Sequence, residues 1–304
     1  MTRPLALLAI LLTAACAPRP APPGPAAAAN PPRKSGAAAT QLTVKGSDTM
    51  VLLAQKWAET YMDEHPETAI QVTGGGSGTG IAAILDGTTD IANSSRPIKS
   101  SELDAAREKG REVVEHRVAQ DALCVVVNAA NPVAALSMAQ LRAIFTGAVT
   151  NWSVVGGDDA PIIVYSRESN SGTYAFFKEH VLLDADFVAT AQTLPGTAAL
   201  ATAVTKDRNG IGYGGAAYFL GNTTTRVVEI KRDKDSPALS PLTADGVNVA
   251  VIRDLSYPIS RYLYCYTLGE PQGAVKEYLD WILSPAGQRI VEELDYVPMV
   301  TTGA

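Results

Sequence analysis

Cysteine, histidine and the largest aromatic residues are scarce in this 304-residue sequence, which has three cysteines, three histidines, three tryptophans and five phenylalanines. So few cysteines exclude a disulfide-stapled scaffold. His65, His116 and His180 lie far apart with no metal-ligand spacing, so structural or surface roles are expected, with no metal and no cofactor. Basic charge is also short, at 25 Lys plus Arg against 31 Asp plus Glu for a formal net charge of −6. A nucleic-acid binder is ordinarily basic, so no nucleic-acid partner is expected. No apolar run reaches the ~20 residues of a membrane-spanning helix. There is no fixed-period repeat, coiled-coil heptad or block of like charge.

What is present suffices for a sizeable core, since 46% of residues are hydrophobic and 18% charged. At roughly 100–200 residues per domain, the length fits two domains or one large one. The N-terminus carries Arg3, a mostly apolar stretch from Leu5 to Leu12, and then Thr13-Ala14-Ala15-Cys16. These are the three regions of a secretory signal. A cysteine directly after small residues looks like the lipoprotein signal, in which Cys16 becomes the lipid-modified first residue; the alternative is plain secretion with cleavage near Ala15. Residues 17–40 are rich in Pro and Ala, without periodicity or aromatics, and read as a tether that cannot bury a core. The expected address is extracytoplasmic. From residue 41 onward 21 basic residues face 31 acidic ones. An anion bound by this body is therefore held by local geometry against an unfavourable field.

The body alternates short β-branched strands with amphipathic helices, a pattern that predicts an α/β fold with mostly parallel sheets. Strands are expected at 42–44, 68–73, 122–128, 161–165 and 261–267. Val51, Ala54, Trp57, Ala58 and Tyr61 recur at helical spacing. A further helix is expected from Ile81 to Leu85. The next is capped by Ser100 or Ser101 and closed by Gly110; Ser137 caps MAQLRAIF, and two helices divide around Ser284-Pro285. Cys124 and Cys265 sit in apolar strand segments, and a disulfide between them and two buried free thiols are both open.

Four loops join a strand to a helix start and are rich in Gly, Ser and Thr: residues 46–49 (GSDT), 74–80 (GGGSGTG), 93–96 (NSSR) and 167–173 (RESNSGT). The first turn of a helix carries unpaired N–H groups and partial positive charge, so each loop is an anion-binding element. Ser47, Thr49, Ser77, Ser95, Ser171 and Thr173 add hydroxyl donors, Gly78 and Gly172 let backbone approach closely, and Arg96 and Arg167 add planar forks suited to oxyanions. Any one loop alone can be a plain helix cap. Enzyme motifs fit less well. Thr79 stands where G-x-S-x-G needs its last glycine, Gly78-x-Gly80-x-x-Ala83 is a degenerate dinucleotide pattern, and Ile81 excludes a P-loop. No carboxylate pair, metal cluster or nucleophile-histidine set is legible, so no catalytic residue is assigned.

The stretches GSDTM, GGGSGTGI, TTDIANSSRPIK, LRAIFTGAVTNWSVVGG, RESNSGT, GIGYGGAAY and YPISRYLY resemble, in order, those of the PstS-like substrate-binding lipoproteins of phosphate ABC transporters. The resemblance implies a periplasmic-binding-protein fold of two α/β lobes joined by crossing strands, closing on a dehydrated anion. It implies a monomeric, non-enzymatic receptor for inorganic phosphate. Its partner would be an ABC transporter permease in the inner membrane, and its lipid anchor would hold it to the periplasmic face of a bacterial cell membrane or outer membrane. The corresponding division is a signal peptide (1–15), a tether (16–40), the first part of lobe I (41–121), lobe II (122–250), and a crossing back with the C-terminal helices of lobe I (251–304). The alternatives are a binding protein for another tetrahedral oxyanion, such as sulfate or molybdate, and an exported phosphate-ester enzyme.

By the same resemblance Thr49, Ser77, Arg167, Ser171, Gly172 and Thr173 contact the ligand. Many members have aspartate where this chain has Ser95, and that carboxylate accepts a hydrogen bond from protonated phosphate that sulfate cannot offer. Here Arg96 follows instead, and Asp48 is the candidate to supply the acceptor from the first loop; the alternative is that Asp48 caps the helix starting near Met50.

Overall fold

The computed structural model describes residues 40–299. The signal sequence, Cys16 and nearly all of the tether lie outside the described residues. The chain runs through β1 (Thr40–Gly46), α1 (Val51–Glu64), β2 (Thr68–Thr73), α2 (Ser77–Asp86), β3 (Ile91–Ser94), α3 (Ser100–Glu108), β4 (Val113–Asn128), β5 (Ala135–Ser137) and α4 (Met138–Phe145). It continues through β6 (Ile163–Arg167), α5 (Gly172–His180), β7 (Gln192–Leu194), α6 (Gly196–Lys206), β8 (Gly210–Gly215), β9 (Thr225–Lys231), β10 (Leu242–Thr243) and β11 (Gly246–Val247). The last elements are α7 (Val249–Arg253), β12 (Ser260–Leu268), α8 (Gly273–Leu283), α9 (Pro285–Glu293) and β13 (Val297–Pro298).

The strands follow the order β2-β1-β3-β12-β4-β8-β6-β7. β1 is parallel to β2 and β3, while β12 is antiparallel to both β3 and β4. The 16-residue β4 joins the two halves, pairing with β12 over Val113–Ala122 and with β8 over Leu123–Val127. Apolar side chains follow the same division. Alternation along β1, β3 and β12 sends Leu42, Ile91 and Cys265 to one face, under α1, α8 and α9, and Ala92, Tyr264 and Tyr266 to the other, under α2 and α3. A second core gathers Ala122–Val127 of β4 with Phe145, Phe177, Ile211, Tyr213 and Val228.

Several local expectations are corrected. α2 begins at Ser77 rather than Ile81, because Gly76, at φ 90°, turns the chain and its carbonyl accepts from the N–H groups of Thr79 (3.1 Å) and Gly80 (3.2 Å), closing a helical turn inside the glycine loop. Neither Ser100 nor Ser101 caps α3. Lys99 holds that position, and its N–H donates to the Glu102 carboxylate at 2.8 Å. Gly110, at φ 65°, does follow the end of α3. The strand expected from Pro161 begins at Ile163, since proline has no N–H for a ladder and pairs only through an isolated bridge to Asn151. Ser137 caps α4 as the sequence suggests, and the two C-terminal helices divide at Ser284, whose hydroxyl caps α9. Cys124 and Cys265 are free and belong to different cores. The Cys265 thiol donates to the Asn93 side-chain oxygen at 3.2 Å, and burial pushes its pKa up to about 12.

Candidate anion-binding site

Loops 46–49, 74–80 and 93–96 follow the carboxyl ends of β1, β2 and β3, which are parallel, so the topology delivers all three to one edge. Gly46 is required there: at φ 143°, a Cβ on it would stand 2.1 Å from the Asn93 carbonyl oxygen. The fourth loop follows β6 in the other half of the sheet and packs directly against the first three. The Thr49 and Thr173 hydroxyls lie 3.0 Å apart, although the residues are 124 positions apart in sequence. Ser77 Oγ accepts from the Ser95 N–H at 3.0 Å and lies 3.4 Å from Ser95 Oγ. Gly172 faces this pair so closely that a Cβ would stand 2.1 Å from Ser77 Oγ and 2.7 Å from Ser95 Oγ. All of these residues are buried.

Arg167 is 2% exposed. Its guanidinium donates to Thr197 Oγ1 at 3.0 Å and to Asp48 Oδ2 at 3.1 Å, and its Nε has no partner. Burial lowers its pKa by disfavouring the charged form, while the Asp48 carboxylate opposes that shift and the Arg261 charge adds to it. A second anion nearby would relieve the same penalty. Asp48 Oδ1 accepts from the Gly75 N–H at 2.8 Å. Both of its bonds therefore go to other loops, and neither goes to a helix N–H, so the capping alternative is not what the structure shows. Ser47 Oγ is the other unpartnered buried side-chain atom in these loops. Ser171 caps α5 through its hydroxyl, at 3.3 Å from the Tyr174 N–H, and the Gly78 N–H is engaged across the gap by the Asn170 carbonyl at 3.0 Å. Asn170 also donates from Nδ2 to the Gly75 carbonyl at 3.0 Å, so one residue clasps the second loop twice.

All eleven residues singled out in the sequence thus belong to loops that meet, but the Arg96 side chain is engaged elsewhere. Its fork makes a bidentate pair with Glu102 at 2.8 and 2.7 Å and also donates to the Pro97 carbonyl, anchoring the start of α3. Burial would raise the Glu102 pKa, but the bonds from Arg96 and the Lys99 N–H outweigh burial and lower it. Sequence reasoning missed Arg261 and Asp121. They form a fully buried pair at 2.7 Å with bonds into the hydroxyl cluster. The signal was available, because a lone charge inside each of two apolar strands, VAQDALCVVV and ISRYLYCYT, requires a partner of opposite sign. Asn170, Thr197 and Tyr218 were also missed; the Tyr218 hydroxyl donates to the Asp48 carbonyl at 3.1 Å.

Four helix-start loops from two halves of one sheet, meeting at the edge where those halves join, define a class, that of solute-binding proteins, and the comparisons agree. Residues 31–286 match the PBP superfamily domain, and the chain belongs to that superfamily, within it to the PstS phosphate-binding proteins. It is 32% identical to the phosphate-binding protein PstS of Pseudomonas aeruginosa over 88% of this chain and 85% of that one. To the PstS of Bacillus subtilis it is 33% identical over 86% and 82%. A phosphate ABC transporter substrate-binding protein from Clostridium perfringens, solved with phosphate bound, superposes with a TM-score of 0.75 at 27% identity, covering 86% of this chain and all of that one. An ABC-type phosphate transport receptor from Vibrio cholerae gives 0.69 at 27% identity, covering 84% and 99%.

Proposed function

We propose that this protein is an extracytoplasmic receptor that binds inorganic phosphate between two lobes and delivers it to an ABC transporter permease. The observation that carries this reading is the meeting of Thr49, Ser77 and Ser95 with Gly172 and Thr173, with Asp48 of the first loop bonded to buried Arg167 of the fourth, in a chain of the PstS family. Donors from both lobes replace the water a dehydrated anion loses, and Arg167 supplies positive charge where the protein as a whole is acidic. The ligand set is Ser47, Asp48, Thr49, Ser77, Ser95, Arg167, Ser171, Gly172 and Thr173. Gly78 holds the fourth loop through Asn170, and Arg96 shapes the start of α3. The lobes divide near residues 121/122 and 250/251, and Cys16 carries the lipid that tethers a monomer to the membrane.

Release requires the lobes to part. The Asn170 clasp, the Thr49–Thr173 and Tyr218–Asp48 bonds and the Arg167–Asp48 pair all cross between the lobes, so parting them means breaking these together. Calorimetric titration of the tether-free protein, stripped of bound anion by unfolding and refolding, tests the reading with phosphate, sulfate and molybdate. Tight phosphate binding that sulfate does not displace is expected. Comparable binding of sulfate or molybdate would make the cleft a general oxyanion site, and no binding of any would reduce the four loops to helix caps.

A further inference from the structure

Arg261 lies on β12 directly opposite Asp121 of β4 and is 2% exposed. Its Nε and Nη2 both donate to Asp121 Oδ2, at 3.0 and 2.7 Å. Nη1 donates to the Ser95 carbonyl and to the Thr173 hydroxyl, each at 3.1 Å, and Nη2 reaches the Thr49 hydroxyl at 3.5 Å. One guanidinium therefore touches the first, third and fourth anion loops at once. The Phe176 ring lies 5.7 Å from its central carbon and covers part of it.

An arginine only donates, whereas a hydroxyl both donates and accepts. The fork therefore occupies acceptor positions on Thr49 and Thr173. Of the two hydroxyl protons, one lies in the 3.0 Å bond between the two threonines and the other is left to point at an acceptor. We propose that Arg261, oriented by Asp121, is a positioning residue that turns the Thr49–Thr173 pair into a hydrogen-bond donor for the bound anion and registers the two lobes against each other. It does so without contacting the anion. The inference rests on reading the cleft as a phosphate site.

The test uses phosphate titration together with thermal unfolding of the ligand-free protein. Arg261→Lys keeps a charge for Asp121 but has no fork to span both threonines, and is expected to weaken phosphate by about tenfold or more with ligand-free unfolding near wild type. Thr173→Val is expected to lose a similar amount, and Thr173→Ser to retain binding. The double variant Arg261→Lys/Thr173→Val should bind within about threefold of its weaker single, because both changes remove one device. Unchanged affinity in Arg261→Lys, or losses that multiply, would overturn the assignment. Should Arg261→Lys fail to fold, Thr49→Val, Thr173→Val and their double decide instead. Hydroxyls wired to one fork fall together, and a multiplied loss overturns the proposal. Failure of the wild-type protein to bind phosphate is a different result, which sinks the anion-site reading beneath it.

Discussion

Asp48 holds Arg167 with one carboxylate oxygen and the Gly75 N–H with the other, and its side chain is 28% exposed, unlike the buried Asp121 locked onto Arg261. A carboxylate oxygen can accept more than one hydrogen bond, so each retains capacity for the proton of monobasic or dibasic phosphate. If the anion sits beside Asp48 as proposed, fully ionised sulfate would set acceptors against these oxygens with no proton between them, which is unfavourable. Asp48→Asn is expected to weaken phosphate about tenfold, the scale of one charge-assisted bond, and to let sulfate compete in the same titration. Unchanged selectivity would leave Asp48 as an orienting partner of Arg167 alone. Arg96 leads to the opposite expectation. Its pair with Glu102 stabilises α3, so Arg96→Ala should lower folding stability at neutral pH by about 2 kcal/mol while phosphate affinity stays within about threefold. Glu102 has a lowered pKa in the folded protein, so the contribution is fully present above the unfolded carboxylate value of about 4.3 and is lost as pH falls through the folded value. Thermal melts of both proteins should therefore converge in acid; a difference that persists there would assign the loss to packing.

At the scale of elements, the site depends on where helices start. α2 begins inside the glycine loop and α5 begins at Gly172, so the two first turns approach each other with almost nothing between them. Glycine at 172 is a steric requirement of this approach. Gly172→Ala places a methyl group 2.1 Å from Ser77 Oγ, and overpacking of this kind costs about 1–3 kcal/mol. The cost falls on the state in which the lobes touch. Phosphate affinity is expected to drop by about tenfold to a hundredfold, while ligand-free thermal unfolding changes little, and solution scattering should show the variant remaining open when phosphate is added. A ligand-bound variant that closes like wild type would mean that the loops yield.

Across the whole molecule, two cores share one sheet through β4, whose Val118 and Ala119 pack in the first while Ala122–Val127 pack in the second. Between those segments lie Gln120 and Asp121, both polar, and Asp121 reaches across to Arg261 on the neighbouring strand. The join between the two cores is thus the place where apolar packing gives way to a hydrogen-bonded ion pair, whose bonds are directional where an apolar contact is not. The net charge of −6 gives no help to an approaching anion. Binding has to come from donors fixed at close range, where distance and burial outweigh a diffuse, salt-screened field.

The strand-helix alternation and the four donor loops were legible in the chain, because apolar periodicity, glycine turns and cap residues are local signals that short segments carry in full; the family was legible through the resemblance of its loop motifs. Helix starts were less legible: a glycine loop and the first turn of α2 have the same composition, and only hydrogen bonds to the Gly76 carbonyl separate them. What tertiary structure alone decided was partnership. Arg96 and Arg167 look alike in sequence, each in a Ser-rich turn, yet one closes on Glu102 six residues away and the other on Asp48, 119 residues away. Arg261 and Asp121, separated by 140 positions, meet only because β4 and β12 are neighbours in the sheet. A side chain's charge is written in the sequence, but the group it neutralises is fixed by the fold, since electrostatic and hydrogen-bond energies depend on distance in space rather than along the chain.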